Sequence, residues 1–178
     1  MEQNLAAKIM QEGHVWSEAV LLAVCRDYNI ENALIPKIAT CFGGGIGNTG
    51  SVCGAVIGAT MAIGIVRKQS SSIEEWLATA EIARELRRRF EDEMQTINCR
   101  ELTGLDLSTV KGSEELMNSD IAMNVCFPAV AHAYRIVSDL LKENSWRWHE
   151  TVVARGPTLI YIRQLKPNQL WSLPRSIP

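Results

Sequence analysis

One apolar segment, residues 52–66, limits more than any other feature how this chain folds. Within it Gly54, Gly58 and Ala62 recur at every fourth position, so a helix places them on one face, where a second backbone can approach closely. The segment is shorter than the roughly 20 residues that a membrane-spanning helix needs. We therefore predict a helix over about residues 51–68 that is buried at the centre of a soluble bundle and is not inserted into a membrane.

Apolar residues recur at helical spacing in most of the remaining chain. Ser72 and Glu75 have the spacing of a capping box at the start of one such stretch, and Trp76 falls on its predicted buried face. Residues 108–118 are polar and predict a loop. We predict an all-α fold, a single-domain multi-helix bundle over residues 1–144. The further helical stretches are residues 1–28, 72–94, 98–104 and 119–144.

The composition is that of an ordinary globular protein, with 47% apolar and 21% charged residues in a chain of 178. The formal net charge of −2 gives no reason to expect a nucleic-acid or membrane partner. Residues 145–178 differ from the rest because they hold three of the five tryptophans and four of the six prolines. We predict an irregular C-terminal extension there, which packs on the domain or joins a second subunit in a homo-oligomer.

Five cysteines are an odd number, so they cannot all pair within the chain. Residues 1–12 are too polar for a secretory leader. Together these features predict a cytoplasmic protein, whose thiols are catalytic, metal-binding or buried more often than they are structural disulfides. Cys25 lies on an apolar stripe and is predicted to pack in the core, whereas the role of Cys41 stays open.

Three cysteines lie at or beside predicted helix starts. Unpaired N–H groups and the helix dipole favour a thiolate there, so converging helix ends would lower a thiol pKa towards neutrality. We therefore predict a thiol-based redox or electron-transfer protein. Cys53 is the attacking thiol, with a lowered pKa, and Cys99 or Cys126 resolves it as a disulfide. The three cysteines lie two residues after Ser51, directly after Asn98, and two residues before Pro128.

The glycine-rich stretch, residues 43–50, contains the G-x-G-x-x-G spacing of a dinucleotide-binding loop. That fingerprint needs a preceding strand, and the neighbouring segments here predict helices. A narrower expectation is that backbone N–H groups of Gly44, Gly45 and Gly47 hold a small anion. The alternative is a turn that needs positive φ and close packing.

Two other functions are open to the same residues. Thiolates of Cys53, Cys99 and Cys126 with one further ligand would hold a metal ion or an iron–sulfur cluster, although no paired ligand spacing typical of zinc occurs. A non-catalytic binding or assembly module is the other alternative, because tryptophan is a common interface anchor and is enriched in residues 145–178. The redox partner protein is not identifiable from the sequence.

The chain resembles the C-GCAxxG-C-C family of small redox-active proteins from about His14 to Leu141. The residues that carry the resemblance are the loop before Cys53, the CGAxxG motif from Cys53 to Gly58, the segment 97–104 around Cys99, and the segment around Cys126. The resemblance implies a redox role for these cysteines. Trp16 stands where the family pattern has its first cysteine, so the four-cysteine set of the family is incomplete here.

Overall fold

The computed structural model describes residues 5–67 and 70–144, and this part of the chain is helical, which confirms the all-α prediction. The predicted extension, residues 145–178, and its role in a homo-oligomer lie outside the described residues. A 3₁₀ segment, Lys37–Phe42, and a π-helical turn, Ala122–Cys126, each lead directly into a helix. The helices are α1 (Leu5–Gln11), α2 (Trp16–Asp27), α3 (Gly43–Ile46, a short turn), α4 (Gly54–Arg67), α5 (Ile73–Met94), α6 (Cys99–Thr103), α7 (Val110–Asn118) and α8 (Phe127–Glu143).

Helix α4 lies at the centre of the bundle, as its small residues predict. It packs against α2, α5 and α8, and most extensively against α2. A Cβ atom added at Gly58 would lie 2.2 Å from the carbonyl oxygen of Ser17, which is closer than side-chain and backbone atoms approach. Only glycine permits this contact between the two helices. Within residues 5–67 and 70–144, no helix combines the length and apolar character needed to cross a membrane.

Helix α5 begins as predicted but buries a different part of its surface. The hydroxyl oxygen of Ser72 accepts a hydrogen bond from the N–H of Glu75 at 3.2 Å, which caps the helix. The prediction that Trp76 is buried is wrong, since it is 53% exposed. The buried residues, Ile82, Leu86 and Phe90, all lie beyond the first two turns of the helix, so these turns extend past the core.

Residues 108–118 contain a helix, α7, instead of the predicted loop. Thr109 caps it, because its hydroxyl oxygen accepts a hydrogen bond from the N–H of Gly112 at 3.0 Å. Leu116 is its one large buried side chain. A short helix with a single buried apolar anchor is stabilised by its tertiary contacts, so its sequence shows little helical periodicity.

Two apolar clusters meet inside the described part of the chain. The larger is built from α1, α2, α4, α5 and α8 and includes Cys53. The smaller consists of Cys99, Leu105, Leu107, Leu116 and Cys126. Trp16 packs against both clusters. The three cysteines singled out by the sequence therefore lie at the boundary between the two clusters.

Candidate thiol site

Cys53, Cys99 and Cys126 line one small cavity with a volume of about 20 Å³. The three residues are 8%, 7% and 8% exposed, respectively. Segments that are distant in the sequence thus meet at one largely buried cavity, and none of its described lining residues carries a charge. The rest of the lining is Trp16, Gly44, Gly54, Leu102, Thr103, Leu107, Leu116, Val125 and Ala129.

Cys53 lies at the N-terminus of α4, directly before the first helical residue, Gly54, and not at the second helical position as predicted. Burial raises the pKa of its thiol, and hydrogen bonds from the backbone N–H groups of Ala55 and Val56 offset this only in part. The prediction of a lowered pKa is therefore wrong. A helix end contributes at most about one pKa unit, and the loss of water around a buried thiolate outweighs it.

A short antiparallel pairing of residues 51–53 with residues 97–99 fixes the positions of Cys53 and Cys99. It displaces the start of α4 from residue 51 to Gly54, because the preceding backbone is extended and paired. The pKa of Cys99 is raised to about 11, mainly by burial and to a smaller extent by the nearby thiol of Cys53. The two backbone hydrogen bonds, both 2.7 Å long, run from the Cys53 N–H to the Ile97 carbonyl and from the Cys99 N–H to the Ser51 carbonyl.

Cys126 reaches the cavity from within continuous helical backbone. It is the last residue of the π-helical turn, and α8 follows directly, with Pro128 as its second residue. The N–H of Phe127 donates to the carbonyl of Ala122, so it is not available to the thiol. Cys126 therefore lies directly before the start of α8, as predicted, but the preceding π-helical turn uses the N–H group that would favour a thiolate. The pKa of Cys126 is raised to about 12, mainly by burial and to a smaller extent by the two neighbouring cavity thiols.

Trp16, the first residue of α2, forms part of the cavity wall beside Cys126. Its indole N–H is buried and makes no hydrogen bond of normal geometry with the described residues. It nevertheless lies near enough to Cys126 to oppose the rise in the pKa of that thiol. Among the described residues of the cavity wall, it is the one buried side-chain nitrogen or oxygen without such a hydrogen bond. A buried donor without a partner costs about 1–3 kcal/mol of stability.

Glu18 holds the start of α2, and with it Trp16, in place. Its carboxylate accepts hydrogen bonds from the N–H of Val15 at 3.2 Å and from the hydroxyl of Thr40 at 2.5 Å. It also pairs with the imidazole of His14 at 3.2 Å. Burial alone would raise the pKa of Glu18, but these hydrogen bonds outweigh it and the pKa lies below its usual value.

The glycine loop packs against the thiol site. Five consecutive residues, 44–48, have positive φ, a left-handed conformation that favours glycine. Gly44 lines the cavity. A Cβ atom added at Gly45 would lie 2.8 Å from Cβ of Cys99 and 2.6 Å from the backbone nitrogen of Ser51. The loop therefore brings glycine backbone into contact with the residues that carry the thiols.

The same loop does not have the surroundings of a dinucleotide site. A 3₁₀ segment precedes it, whereas the fingerprint requires a strand. The N–H of Gly47 donates to the carbonyl of Cys41 at 2.8 Å, so that donor is already used inside the protein. Binding of a small anion or cofactor by Gly44, Gly45 and Gly47 stays a prediction.

The two other cysteines line no part of the described cavity. Cys25 is fully buried in α2, as predicted, and burial raises the pKa of its thiol. Cys41 is exposed in the 3₁₀ segment. Neither supplies the thiol that Trp16 replaces.

The arrangement of the thiols bears on the metal alternative. In the parts of the chain that the structure describes, no group of three or more His, Cys, Asp or Glu side chains is placed to hold a metal ion. The proposal of a metal ion or iron–sulfur cluster held by Cys53, Cys99 and Cys126 therefore gains no support from their geometry.

Comparison with known families agrees with the cysteine pattern. A family model described as "C_GCAxxG_C_C: Putative redox-active protein" matches residues 16–140 of the 178-residue chain. The chain belongs to the C_GCAxxG_C_C family. None of the curated proteins and none of the solved structures compared with the chain gives a significant match. Membership supports a general redox role and confirms the resemblance found in the sequence.

Two features of this C_GCAxxG_C_C protein escaped sequence reasoning. One is the contact of Gly45 with Cys99, and the other is the unpaired indole N–H of Trp16 at the thiols. Positive φ at Gly45 was expected, but its partner lies far away in the sequence. The position of Trp16 at the thiols could have been predicted from the sequence, because it replaces a family cysteine and a replacement occupies the same place in the fold.

Proposed function

We propose that this protein is a thiol-based redox protein that cycles between three reduced thiols and one disulfide formed within the group Cys53, Cys99 and Cys126. The convergence of these cysteines on one cavity carries the proposal. Formation of the disulfide joins two sulfur atoms and releases two protons and two electrons to an acceptor. The product is neutral, so it suits an uncharged cavity better than a thiolate does.

Cys53 is the best candidate for the first attack. It accepts hydrogen bonds from two backbone N–H groups at the start of a helix, and these stabilise its thiolate. Cys99 and Cys126 have no such backbone hydrogen bonds. Burial raises the pKa of all three thiols, to about 11 for Cys99 and to about 12 for Cys126. Since a thiol of high pKa is a poor leaving group, the disulfide resists reduction once it has formed. We expect a strongly reducing couple.

Peptide mapping after controlled oxidation tests the proposal. The reduced chain is treated with hydrogen peroxide without air, unfolded in urea, blocked with N-ethylmaleimide, digested and analysed by mass spectrometry. We expect the loss of two thiols per chain and a bridge within the group Cys53, Cys99 and Cys126. Cys53→Ala is expected to suppress the bridge, because the remaining thiols lack the backbone N–H groups that favour the Cys53 thiolate.

Cys41→Ser is the matched control, because Cys41 is exposed and lines no part of the described cavity. The bridge is expected to form normally in this variant. If the native chain forms no bridge within the group, or only bridges that involve Cys41, the proposal is wrong.

A further inference from the structure

The size of the thiol cavity limits which oxidant can reach the sulfur atoms. Its volume of about 20 Å³ is the space of one small molecule. The thiols are at most 8% exposed, and the wall around them is apolar. Exchange with another disulfide requires that the attacking sulfur meet the disulfide sulfur directly. Oxidised glutathione or a protein disulfide cannot make this approach without opening the fold.

The cavity also has one polar feature that a ligand would satisfy. The buried indole N–H of Trp16 makes no hydrogen bond of normal geometry with the described residues, although the Cys126 thiol lies near it. It lies in the cavity wall next to Cys126. A small molecule with an oxygen lone pair would accept this hydrogen bond and relieve the penalty of an unpaired donor. A hydrocarbon has no lone pair to accept this hydrogen bond, and a bulky reagent does not fit the cavity.

We propose that hydrogen peroxide is the electron acceptor of this site, and that the Trp16 indole N–H positions a peroxide oxygen beside the thiols. The inference rests on the proposed function, since it needs the same group of cysteines to form a disulfide. Trp16 is a positioning residue here, because it holds the oxidant and exchanges no electrons. Trp16 stands where the family pattern has its first cysteine, and in this proposal it has a role of its own at that position.

The chemistry balances with peroxide as the sole oxidant. The Cys53 thiolate attacks one oxygen, so a sulfur–oxygen bond forms and the oxygen–oxygen bond breaks, and the leaving hydroxide takes the thiol proton to become water. The resulting sulfenic acid is attacked by the sulfur of Cys99 or Cys126. A disulfide forms, the sulfur–oxygen bond breaks, and the hydroxyl group leaves with the second thiol proton as water. Two thiols are oxidised and one peroxide is reduced to two waters.

Oxidants of different size test the inference on the full-length chain in a Cys41→Ser background. Hydrogen peroxide, cumene hydroperoxide and oxidised glutathione are each applied at equal concentration to the reduced protein. Bridge formation is followed by N-ethylmaleimide quenching and mass spectrometry. Each rate is divided by the rate for the urea-unfolded chain, which removes the intrinsic reactivity of the reagent. We expect the normalised rate for hydrogen peroxide to exceed the other two by at least about tenfold, equivalent to roughly 1.4 kcal/mol in the barrier.

Trp16→Phe tests the indole N–H separately, because it keeps an aromatic ring and removes the donor. We expect its peroxide rate to fall about tenfold, the effect of losing roughly 1.4 kcal/mol of transition-state stabilisation. Its rate of N-ethylmaleimide labelling at the same thiols is expected to stay unchanged, which a merely loosened fold would not allow. Trp76→Phe, at an exposed tryptophan, is the matched control and should match the unsubstituted chain.

The outcomes separate the two proposals. If all three normalised rates are equal, the peroxide inference is wrong while the thiol redox function stands. If peroxide is preferred but Trp16→Phe reacts as fast as the unsubstituted chain, the positioning role of Trp16 is wrong. If no reagent forms a bridge within the group until the chain unfolds, the redox proposal itself fails.

Discussion

Gly45 is the residue at which the glycine loop touches the thiol site. Its φ is 74°, and an added Cβ atom would lie within 2.8 Å of Ser51 backbone atoms and of Cys99 Cβ. Gly47, in the same loop, has a φ of 60°, but an added Cβ atom would meet nothing within 4 Å. The two glycines share a left-handed backbone and differ in the space around them.

This difference predicts unequal effects of two alanine substitutions. Gly47→Ala is expected to lower the free energy of unfolding by about 1–2 kcal/mol, the strain of a left-handed non-glycine residue. Gly45→Ala adds an overlap with backbone and with Cys99, so the expected loss is about 2–5 kcal/mol. Urea unfolding of the two variants measures both. Equal losses would show that Gly45 is not packed against Cys99 as described.

The meeting of Cys53, Cys99 and Cys126 was predictable only as a hypothesis from their positions near helix starts. The sequence carries no direct signal of burial at a thiol, because burial depends on side chains brought in by other elements. Leu116 lies within the segment predicted to be a loop, and Leu107 lies directly before it. Both side chains help to close the cavity. Their presence there explains why the pKa values rise although the sequence predicted a fall.

At the scale of helices, the contact of α2 with α4 depends on Gly58. The carbonyl oxygen of Ser17 occupies the place of a side chain, 2.2 Å from an added Cβ atom, and both partners belong to rigid helical backbone. Gly64 lies in the same helix with no atom within 4 Å of an added Cβ atom. Of the three glycines in this helix, Gly54 and Gly58 are confined by neighbouring backbone and Gly64 is not.

Alanine in place of Gly58 and of Gly64 is expected to act in opposite directions. Gly58→Ala forces α2 and α4 apart and should cost about 1–3 kcal/mol or more, which corresponds to about 2–4 °C in Tm per kcal/mol for a chain of this size. Gly64→Ala should stabilise the protein by about 0.5–1 kcal/mol, since alanine has the better helix propensity. Thermal unfolding followed by circular dichroism checks both. A stable Gly58→Ala variant would contradict the close packing.

The helices differ in how far local sequence determines them. Helix α4 was predictable because its small and apolar residues leave few alternatives, and the start of α5 was predictable because Ser72 caps it through a local hydrogen bond. Helix α7 was not, since Leu116 stabilises it through contacts with distant residues. The π-helical turn before Cys126 also has no local signature in the sequence.

At the scale of the whole molecule, charged pairs join α5 to α8 across the surface. The Arg89 guanidinium donates to both carboxylate oxygens of Glu143, at 2.9 and 2.8 Å, and to Glu85 at 2.8 Å. Arg88 also donates to Glu85, at 2.8 Å. Hydrogen bonds from Arg88, together with those from Arg89, outweigh burial and hold the pKa of Glu85 at about 2. Glu85 therefore stays ionised well into the acid range when the chain is folded.

The depressed pKa of Glu85 predicts how stability depends on pH. Its contribution is fully present above the ordinary pKa of 4.5 and is lost as the pH falls from there towards about 2, because only the unfolded chain takes up a proton over that range. The side chain is 30% exposed, so screening limits the contribution to the order of 1 kcal/mol. Glu85→Gln should therefore flatten the fall in Tm between these pH values. Glu81→Gln is the control, since among the described residues Glu81 forms an ion pair only with Arg84, on the exposed face of α5. If the two variants show the same pH profile, the hydrogen bonds from Arg88 and Arg89 do not hold down the pKa of Glu85.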